Sequence, residues 1–179
     1  MNTCIALFRG INVGGKNLMP MKELVVLLTD IGAQRIRIYI QSGNAVFKSA
    51  ENNPAQLAEQ LTAAITKHHG FEPLVLIQGL DAIKKAMAEN PFPEAEVDPG
   101  NLHLGFLAST PKSPDLGKLA ALKKESERFH LSDKVFYLYA PEGVGRSKLA
   151  ATAERLLGAP MTDRNWRTVC KVREMAEEK

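Results

Sequence analysis

The chain has 179 residues, and its 45% of apolar and 24% of charged residues exclude a largely disordered, collagenous or coiled-coil protein. Its length suits one domain or two small ones that share a core, since domains commonly contain roughly 100 to 200 residues. The 23 Lys and Arg against 20 Asp and Glu leave a net charge of +3, too small an excess to indicate nucleic-acid binding by itself.

Residues 1–79 show the apolar patterns of four strands and two helices. The strands are predicted at Cys4–Phe8, Ile36–Ile40, from Ala45–Phe47 onward and at Leu74–Ile77. Pro20 suits the first turn of the first helix and Asn53-Pro54 opens the second, while Gly32 and Gly70 follow their last turns. The resulting order, strand, helix, strand, strand, helix, strand, is that of a ferredoxin-like fold, in which two helices cover one face of an antiparallel sheet.

Residues 80–179 repeat this order more loosely. Helices are predicted at Leu80–Glu89, Asp115–Arg128, Ser147–Leu157 and from about Trp166. Strands are predicted at Leu102–Leu107, Phe129–Leu131, Val135–Tyr139 and Pro160–Asp163. No linker is long enough to separate the halves. We therefore predict an α+β fold of duplicated ferredoxin-like (βαββαβ) halves, residues 1–79 and 80–179, packed as one compact unit with the helices on one face of each antiparallel sheet.

The two cysteines, Cys4 and Cys170, are too far apart in the sequence to suggest a zinc site or a redox pair. The residues before Cys4 include no basic segment, and no apolar run approaches the roughly 20 residues of a membrane span. We therefore expect a cytoplasmic protein with no membrane association.

The segment Gly10–Asn17 matches the pattern G-x-x-x-x-G-K of a P-loop. A P-loop, however, requires Ser or Thr where Asn17 stands, and its helix begins at the Gly-Lys pair. Here Pro20 places the helix start several residues later. The pattern therefore does not predict a nucleotide-hydrolysing P-loop.

The same loop has the residues of a simpler anion site. Gly14 and Gly15 allow close approach of backbone N–H groups to a ligand, Arg9 and Lys16 add positive charge, and Asn12 offers donors and an acceptor. The alternative is a loop whose glycines only permit a tight bend and whose cations are solvated.

Four segments of the chain together resemble the bacterial domain-of-unknown-function family DUF1697. They are Leu7–Asn17, Tyr39–Phe47, Gly145–Leu149 and Arg164–Val169. The resemblance spans nearly the whole chain and keeps the order of the segments. It implies a compact α+β fold with a duplicated ferredoxin-like pattern, and it implies no activity. Asp163 stands where the family pattern often has a small residue.

Three further polar turns complete the candidate site, because each lies at a strand end or helix start, where backbone groups lack internal partners. Their candidate ligand-binding residues are Gln41, Ser42, Asn44, Arg146, Ser147, Lys148, Arg164, Asn165 and Arg167. Ser147 beside two cations suits a phosphate site at a helix start, or alternatively a simple N-cap. Trp166 between arginines suits stacking on bases, or alternatively packing of the last helix with Asn165 as its cap.

These observations leave three hypotheses open. The first is binding of a phosphate-bearing small molecule or nucleic acid through the Gly, Asn, Arg and Lys turns. The second is a metal-independent hydrolase of the acylphosphatase type that uses Arg9 and Asn44, by analogy of fold. The third is a homodimer or protein-interaction module. His103 and His130 stand isolated in the sequence, and we expect no metal and no cofactor.

Overall fold

The computed structural model describes residues 1–41 and 43–178, and its chain forms two compact units. The first unit comprises Met1–Lys85 and Cys170–Lys179, and the second comprises Ala86–Val169.

The first unit is built on a four-stranded antiparallel sheet. Its elements are β1 (Asn2–Arg9), α1 (Met21–Asp30), β2 (Gln34–Tyr39), β3 (Asn44–Ser49), α2 (Pro54–His69) and β4 (Leu74–Gly79), followed by α3 (Leu80–Ala88). The strand order is β2-β3-β1-β4. The two central strands of this sheet are therefore β3 and β1, and β2 and β4 form its edges.

Helices α1 and α2 pack on one face of the first sheet. Alternate β1 residues, Cys4, Ala6 and Phe8, belong to the same buried cluster as Leu24 of α1 and Leu61 of α2. This alternation follows from the period of two in a strand, which places every second side chain on one face. The core therefore lies between the sheet and its two helices.

The second unit repeats this arrangement. Its elements are β5 (Leu102–Leu107), α4 (Leu116–Leu122), β6 (Arg128–Ser132), β7 (Val135–Tyr139), α5 (Lys148–Leu157) and β8 (Met161–Asn165). The last helix, α6 (Trp166–Glu177), begins in this unit, and its residues from Cys170 onward belong to the first unit. The strand order is β6-β7-β5-β8, again antiparallel throughout. A second buried cluster joins α4 and α5 to β7 through Leu119, Leu149 and Phe136. The predicted α+β fold of two ferredoxin-like halves is confirmed.

One predicted helix is too long. The sequence predicts a helix over Asp115–Arg128, but α4 ends at Leu122, and Lys123 has the extended backbone angles φ −65° and ψ 132°. The carboxylate of the buried Glu127 accepts a hydrogen bond from the backbone N–H of Lys124 at 2.9 Å. This tight turn allows Arg128 to begin β6.

Two strand ends also differ from prediction. Ile40 lies beyond β2 with φ +53° and is exposed, so the strand ends at Tyr39. The last strand is Met161–Asn165 and not Pro160–Asp163. Pro160 has no N–H to donate to a ladder, although its carbonyl accepts from Ala108 N at 2.8 Å.

Over residues 1–41 and 43–178, no helix combines the length and the apolar character that crossing a membrane requires.

Candidate functional site

The glycine-rich loop between β1 and α1 contains a two-residue hairpin. The backbone N–H of Lys16 donates to the carbonyl of Val13 at 3.1 Å, and Gly14 and Gly15 have φ of +59° and +71°. Positive φ at both central residues is typical of a type I′ turn, which favours glycine at both positions. The turn alone thus accounts for the two glycines.

Two asparagines hold this hairpin in place. Asn12 Nδ2 donates to the carbonyls of Met19 and Gln41, both at 2.9 Å, and its Oδ1 accepts from Met19 N at 2.8 Å. Asn17 Nδ2 donates to the carbonyl of Gly10 at 2.8 Å. Both asparagines have φ +51°, a conformation that asparagine tolerates better than most residues. Both Nδ2 hydrogens and the Oδ1 of Asn12, predicted as a ligand-binding residue, thus already have partners inside the protein.

The loop meets the β2–β3 hairpin. Both β1 and β2 run antiparallel to β3, so they end at the same end of the sheet. The bond from Asn12 to Gln41 joins the two turns, and Phe8 N donates to the carbonyl of Gly43 at 2.9 Å. Sequence reasoning could not establish this contact.

The other hairpin residues differ in what they offer a ligand. Gln41 is exposed, whereas Asn44 is fully buried and its Nδ2 donates to the carbonyl of Tyr39 at 3.1 Å. Ser42, the remaining candidate in this turn, lies outside the described residues. Asn44 therefore contributes to the support of the hairpin.

The surface of this sheet end combines positive charge with exposed apolar groups. Arg9 and Lys16 are exposed. The apolar residues Val13, Leu18 and Ile40 are 62%, 67% and 49% exposed. Within residues 1–41 and 43–178, no acceptor pairs with the backbone N–H groups of Gly14 and Gly15. We call this surface, residues 9–18 with 40 and 41, the loop-tip surface.

In the second unit, Ser147 caps a helix. Its Oγ accepts from Ala150 N at 3.0 Å, and only 3% of the residue is exposed. Arg146 and Lys148 on either side are exposed. The pKa of the nearby Glu142 carboxyl is lowered mainly by hydrogen bonds from Lys124 and Ser126, with a smaller contribution from the charge of Arg146. Ser147 is thus occupied as a cap, whereas the two cations face solvent.

The segment Arg164–Arg167 also contains a cap. Asn165 Oδ1 accepts from Thr168 N at 2.9 Å, and Trp166 is buried with 6% of its surface exposed. Burial lowers the pKa of Arg164 to about 10 against the opposing charge of Asp163, so the guanidinium stays protonated at neutral pH. Arg167 is exposed. The packing and capping roles weighed for Trp166 and Asn165 are thus the ones this structure shows.

These two segments of the second unit follow strands that end at the same end of the second sheet. Tyr139 of β7 lies opposite Leu102, and Asn165 of β8 lies opposite His103, so both strands end where β5 begins. Each unit therefore brings two of the four predicted turns to one sheet end.

The sequence analysis missed one pair at this end of the second sheet. His103 Nδ1 lies 2.6 Å from Asp163 Oδ2, and Nε2 lies 3.1 Å from the carbonyl oxygen of Gly100. Burial disfavours the charged ring, but the hydrogen bond and charge of Asp163, together with the Gly100 carbonyl, raise the pKa of His103 overall. His103, which stands isolated in the sequence, therefore has a carboxylate partner in the structure.

In the part of the chain that the structure describes, no three or more His, Cys, Asp or Glu side chains are grouped in a way that could hold a metal ion. Cys4 is buried, and burial raises the pKa of its thiol against the opposing charge of Lys48. Neither cysteine forms a disulfide.

Comparison with known proteins gives a family and a fold. The chain has 27% identity and a TM-score of 0.72 to the conserved bacterial protein SP0830 from Streptococcus pneumoniae, over 98% of this chain and 99% of that one. Protein BT0572 from Bacteroides thetaiotaomicron aligns over 90% of this chain and 92% of its own, with 11% identity and a TM-score of 0.23, too low to support an argument. No curated protein matches the sequence. The profile of the family described as "Protein of unknown function (DUF1697)" matches residues 1–137, and the chain belongs to this family.

Proposed function

We propose that this protein binds an anionic, phosphate-bearing ligand, such as a nucleotide or nucleic acid, at the loop-tip surface. The observation that carries the proposal is the 2.9 Å hydrogen bond from Asn12 to the carbonyl of Gln41, which joins two turns 29 positions apart. Through it, the cationic β1–α1 loop and the hairpin form one surface.

The chemistry of this surface suits a phosphate group. Arg9 offers a planar guanidinium that can bind phosphate oxygens in pairs, and Lys16 offers a second positive charge. The solvent-facing N–H groups of Gly14 and Gly15 add neutral donors. Because Asn12 and Asn17 already hold the loop, little conformational entropy is lost when a ligand binds.

The exposed apolar side chains favour a ligand that also has an apolar part. Val13, Leu18 and Ile40 belong to the same surface as the cations. A nucleotide has both a charged phosphate and a flat ring with apolar faces, which matches this mixture.

The second unit offers a separate cationic surface for the same class of ligand. Arg146 lies just before α5, and Lys148 is its first residue. Arg167 lies in the first turn of α6, where the helix dipole also favours an anion. Arg164 adds charge from β8. We propose this surface independently of the loop-tip surface.

A thermal-shift panel of nucleotides, phosphorylated metabolites and short RNA or DNA at low salt tests the proposal. We expect at least one of these anions to stabilise the protein, and Arg9→Ala to weaken its binding about tenfold or more, as the loss of a charge-assisted hydrogen bond implies. Arg146→Ala tests the second surface in the same way. Lys84→Ala, in which an exposed lysine on α3 is lost, is the charge-matched control and should bind normally.

Two results would contradict the proposal. One is the absence of stabilisation by any anion at low salt. The other is an equal loss of binding in Arg9→Ala and Lys84→Ala, which would show that only the net charge matters.

The acylphosphatase alternative gains no supporting observation from the described residues. An acylphosphatase-type site needs the Asn44 amide to reach a substrate, but that side chain is fully buried and bonded to Tyr39. Equal hydrolysis of an acyl phosphate by wild type and Arg9→Ala would remove this hypothesis.

A further inference from the structure

Strand β2 contains a bulge in which an arginine has unusual backbone angles. Gln34 pairs with Lys48 and Arg37 with Val46, so Arg35 and Ile36 together oppose Phe47. Arg35 has φ +51°. A bulge whose first residue is left-handed normally has glycine there, because other residues are strained in that conformation. An arginine where glycine would be less strained indicates a functional role for its side chain.

The bulge borders a cavity with three cations. The cavity has a volume of about 230 Å³ and is lined by Arg35, Arg37 and Lys48. Within residues 1–41 and 43–178, the Arg35 side chain has no hydrogen-bond or ion-pair partner, and the residue is exposed. Lys48 Nζ donates to Thr3 Oγ1 at 2.5 Å, which orients the ammonium group. All these residues belong to the first unit.

The rest of the lining is partly apolar. Val46 is buried and Ala176 comes from the end of α6, whereas the Phe47 side chain belongs to the buried cluster with α1 and α2. Charges beside a low-dielectric wall interact more strongly with an anion than they would in open water. A volume of this size is below the roughly 300 to 1,000 Å³ of sites for drug-sized ligands, so it suits a small ligand.

One carboxylate already occupies part of this charged lining. Arg37 Nη1 donates to Glu178 Oε2, and Arg37 Nη2 donates to the carbonyl of Met175. Glu178 follows the last turn of α6, and 55% of its side chain is exposed. An exposed side chain next to the end of a helix is easily displaced, because little packing holds it. The Glu178 carboxylate therefore occupies the position on Arg37 that an external anion would take.

We propose that this cavity binds the phosphate group of a small phosphomonoester, or free phosphate, between Arg35, Arg37 and Lys48. The incoming phosphate displaces the Glu178 carboxylate from Arg37. The site is distinct from the loop-tip surface, so either proposal can hold without the other.

The test is a titration of the ¹⁵N-labelled full chain with inorganic phosphate and with phenyl phosphate at low salt, followed by NMR. We expect the largest amide shifts at residues 35–37 and 46–48, and tighter binding of phenyl phosphate than of inorganic phosphate because its ring contacts the apolar part of the lining. Arg35→Ala should weaken binding about tenfold, as expected for a lost charge-assisted hydrogen bond, and Arg35→Lys should recover part of it.

Removal of the Glu178 carboxylate, which competes with phosphate for Arg37, gives the most specific test. Glu178→Gln should tighten phosphate binding about two- to fivefold, as expected for release of a partly exposed ion pair. The matched control is Glu177→Gln, which removes the same charge from a residue that pairs with Lys84 and Arg173 instead. It should leave the affinity unchanged.

The outcomes separate this proposal from the proposed function. Shifts confined to residues 9–18, with binding lost in Arg9→Ala and retained in Arg35→Ala, would overturn the cavity site and support the loop-tip surface. Equal effects of Glu178→Gln and Glu177→Gln would overturn the displacement step. No binding by Glu178→Gln at millimolar phosphate would overturn the site itself, since this variant changes only an exposed side chain.

Discussion

His103 and Asp163 form a hydrogen-bonded pair between neighbouring strands of the second sheet, with 2.6 Å between Nδ1 and Oδ2. The other ring nitrogen of His103 faces the carbonyl of Gly100 at 3.1 Å. Only the protonated ring can donate to both acceptors at once. The pair therefore links β5, β8 and the turn before β5 most strongly when His103 is charged.

We expect the free energy of unfolding to fall as pH rises above neutrality. Burial opposes the charge on His103, but Asp163 and the Gly100 carbonyl raise its pKa in the folded protein above the ordinary value of 6.5. A raised folded-state pKa means that the folded protein binds more protons, so this stabilisation is fully present below pH about 6.5 and is lost as pH passes the raised pKa.

Urea unfolding at pH 6 and pH 9 measures this effect. Asp163→Asn removes the charge that raises the pKa of His103, so its stability should change less between the two pH values than that of wild type. An Asp163→Asn variant with the wild-type pH dependence would show that another group is responsible.

Sequence patterns predicted the elements of this fold much better than the partners of single side chains. The strands and helices follow from local spacing, such as the alternation of Cys4, Ala6 and Phe8. The pairing of His103 with Asp163 depends on the register of two strands 60 positions apart, which no local pattern encodes.

Asn12→Ala should destabilise the protein by about 2–4 kcal/mol, because three hydrogen bonds to Met19 and Gln41 are lost. Asn17→Ala is the matched control, since Asn17 has the same φ of +51° but makes one such bond, to Gly10. It should cost about 1 kcal/mol by the same accounting. Chemical denaturation of both variants measures the difference, and equal losses would mean that backbone strain outweighs the bonds.

Gly43→Ala should be among the most damaging small substitutions in the first unit. A Cβ at Gly43 would lie 2.6 Å from Ile11 Cδ1 and 2.7 Å from Phe8 Cβ, and φ there is +90°. Overpacking and the left-handed conformation together predict a loss of about 2–4 kcal/mol. Gly79→Ala, where a Cβ meets no atom within 4 Å, should change stability by less than about 1 kcal/mol. Melting curves of both variants test the contrast, and similar curves would contradict it.

The contact between the β1–α1 loop and the β2–β3 hairpin explains why the candidate site is only partly predictable from sequence. The sequence indicates turns at Gly14-Gly15 and at Gly43, but whether they meet depends on the direction of β1 and β2 in the sheet. The burial of Asn44 was also not visible, because an asparagine after a turn is usually exposed. Local patterns thus locate turns but not the surface that they form.

Ser147→Ala should cost about 1 kcal/mol, the usual effect of removing an N-cap hydroxyl. The hydroxyl oxygen accepts from Ala150 N at 3.0 Å at the start of α5. Ser147→Asp keeps an acceptor at the same place, where the start of α5 also favours a negative charge, and should retain most of the stability. Loss of phosphate binding by Ser147→Ala without any loss of stability would assign the hydroxyl to a ligand instead.

Substitutions at Arg35 test whether its left-handed backbone conformation strains the β2 bulge. At φ +51°, replacement by glycine removes a conformational cost of about 1–2 kcal/mol and adds about 0.5–1 kcal/mol of unfolded-chain entropy. Arg35→Gly should therefore be as stable as wild type or up to about 1.5 kcal/mol more stable. Arg35→Val should lose about 1–2 kcal/mol, because β-branched residues tolerate this conformation least. Urea unfolding measures both variants. Equal stability would mean that the bulge relaxes when the arginine is removed. The left-handed conformation would then not be required to orient the Arg35 side chain.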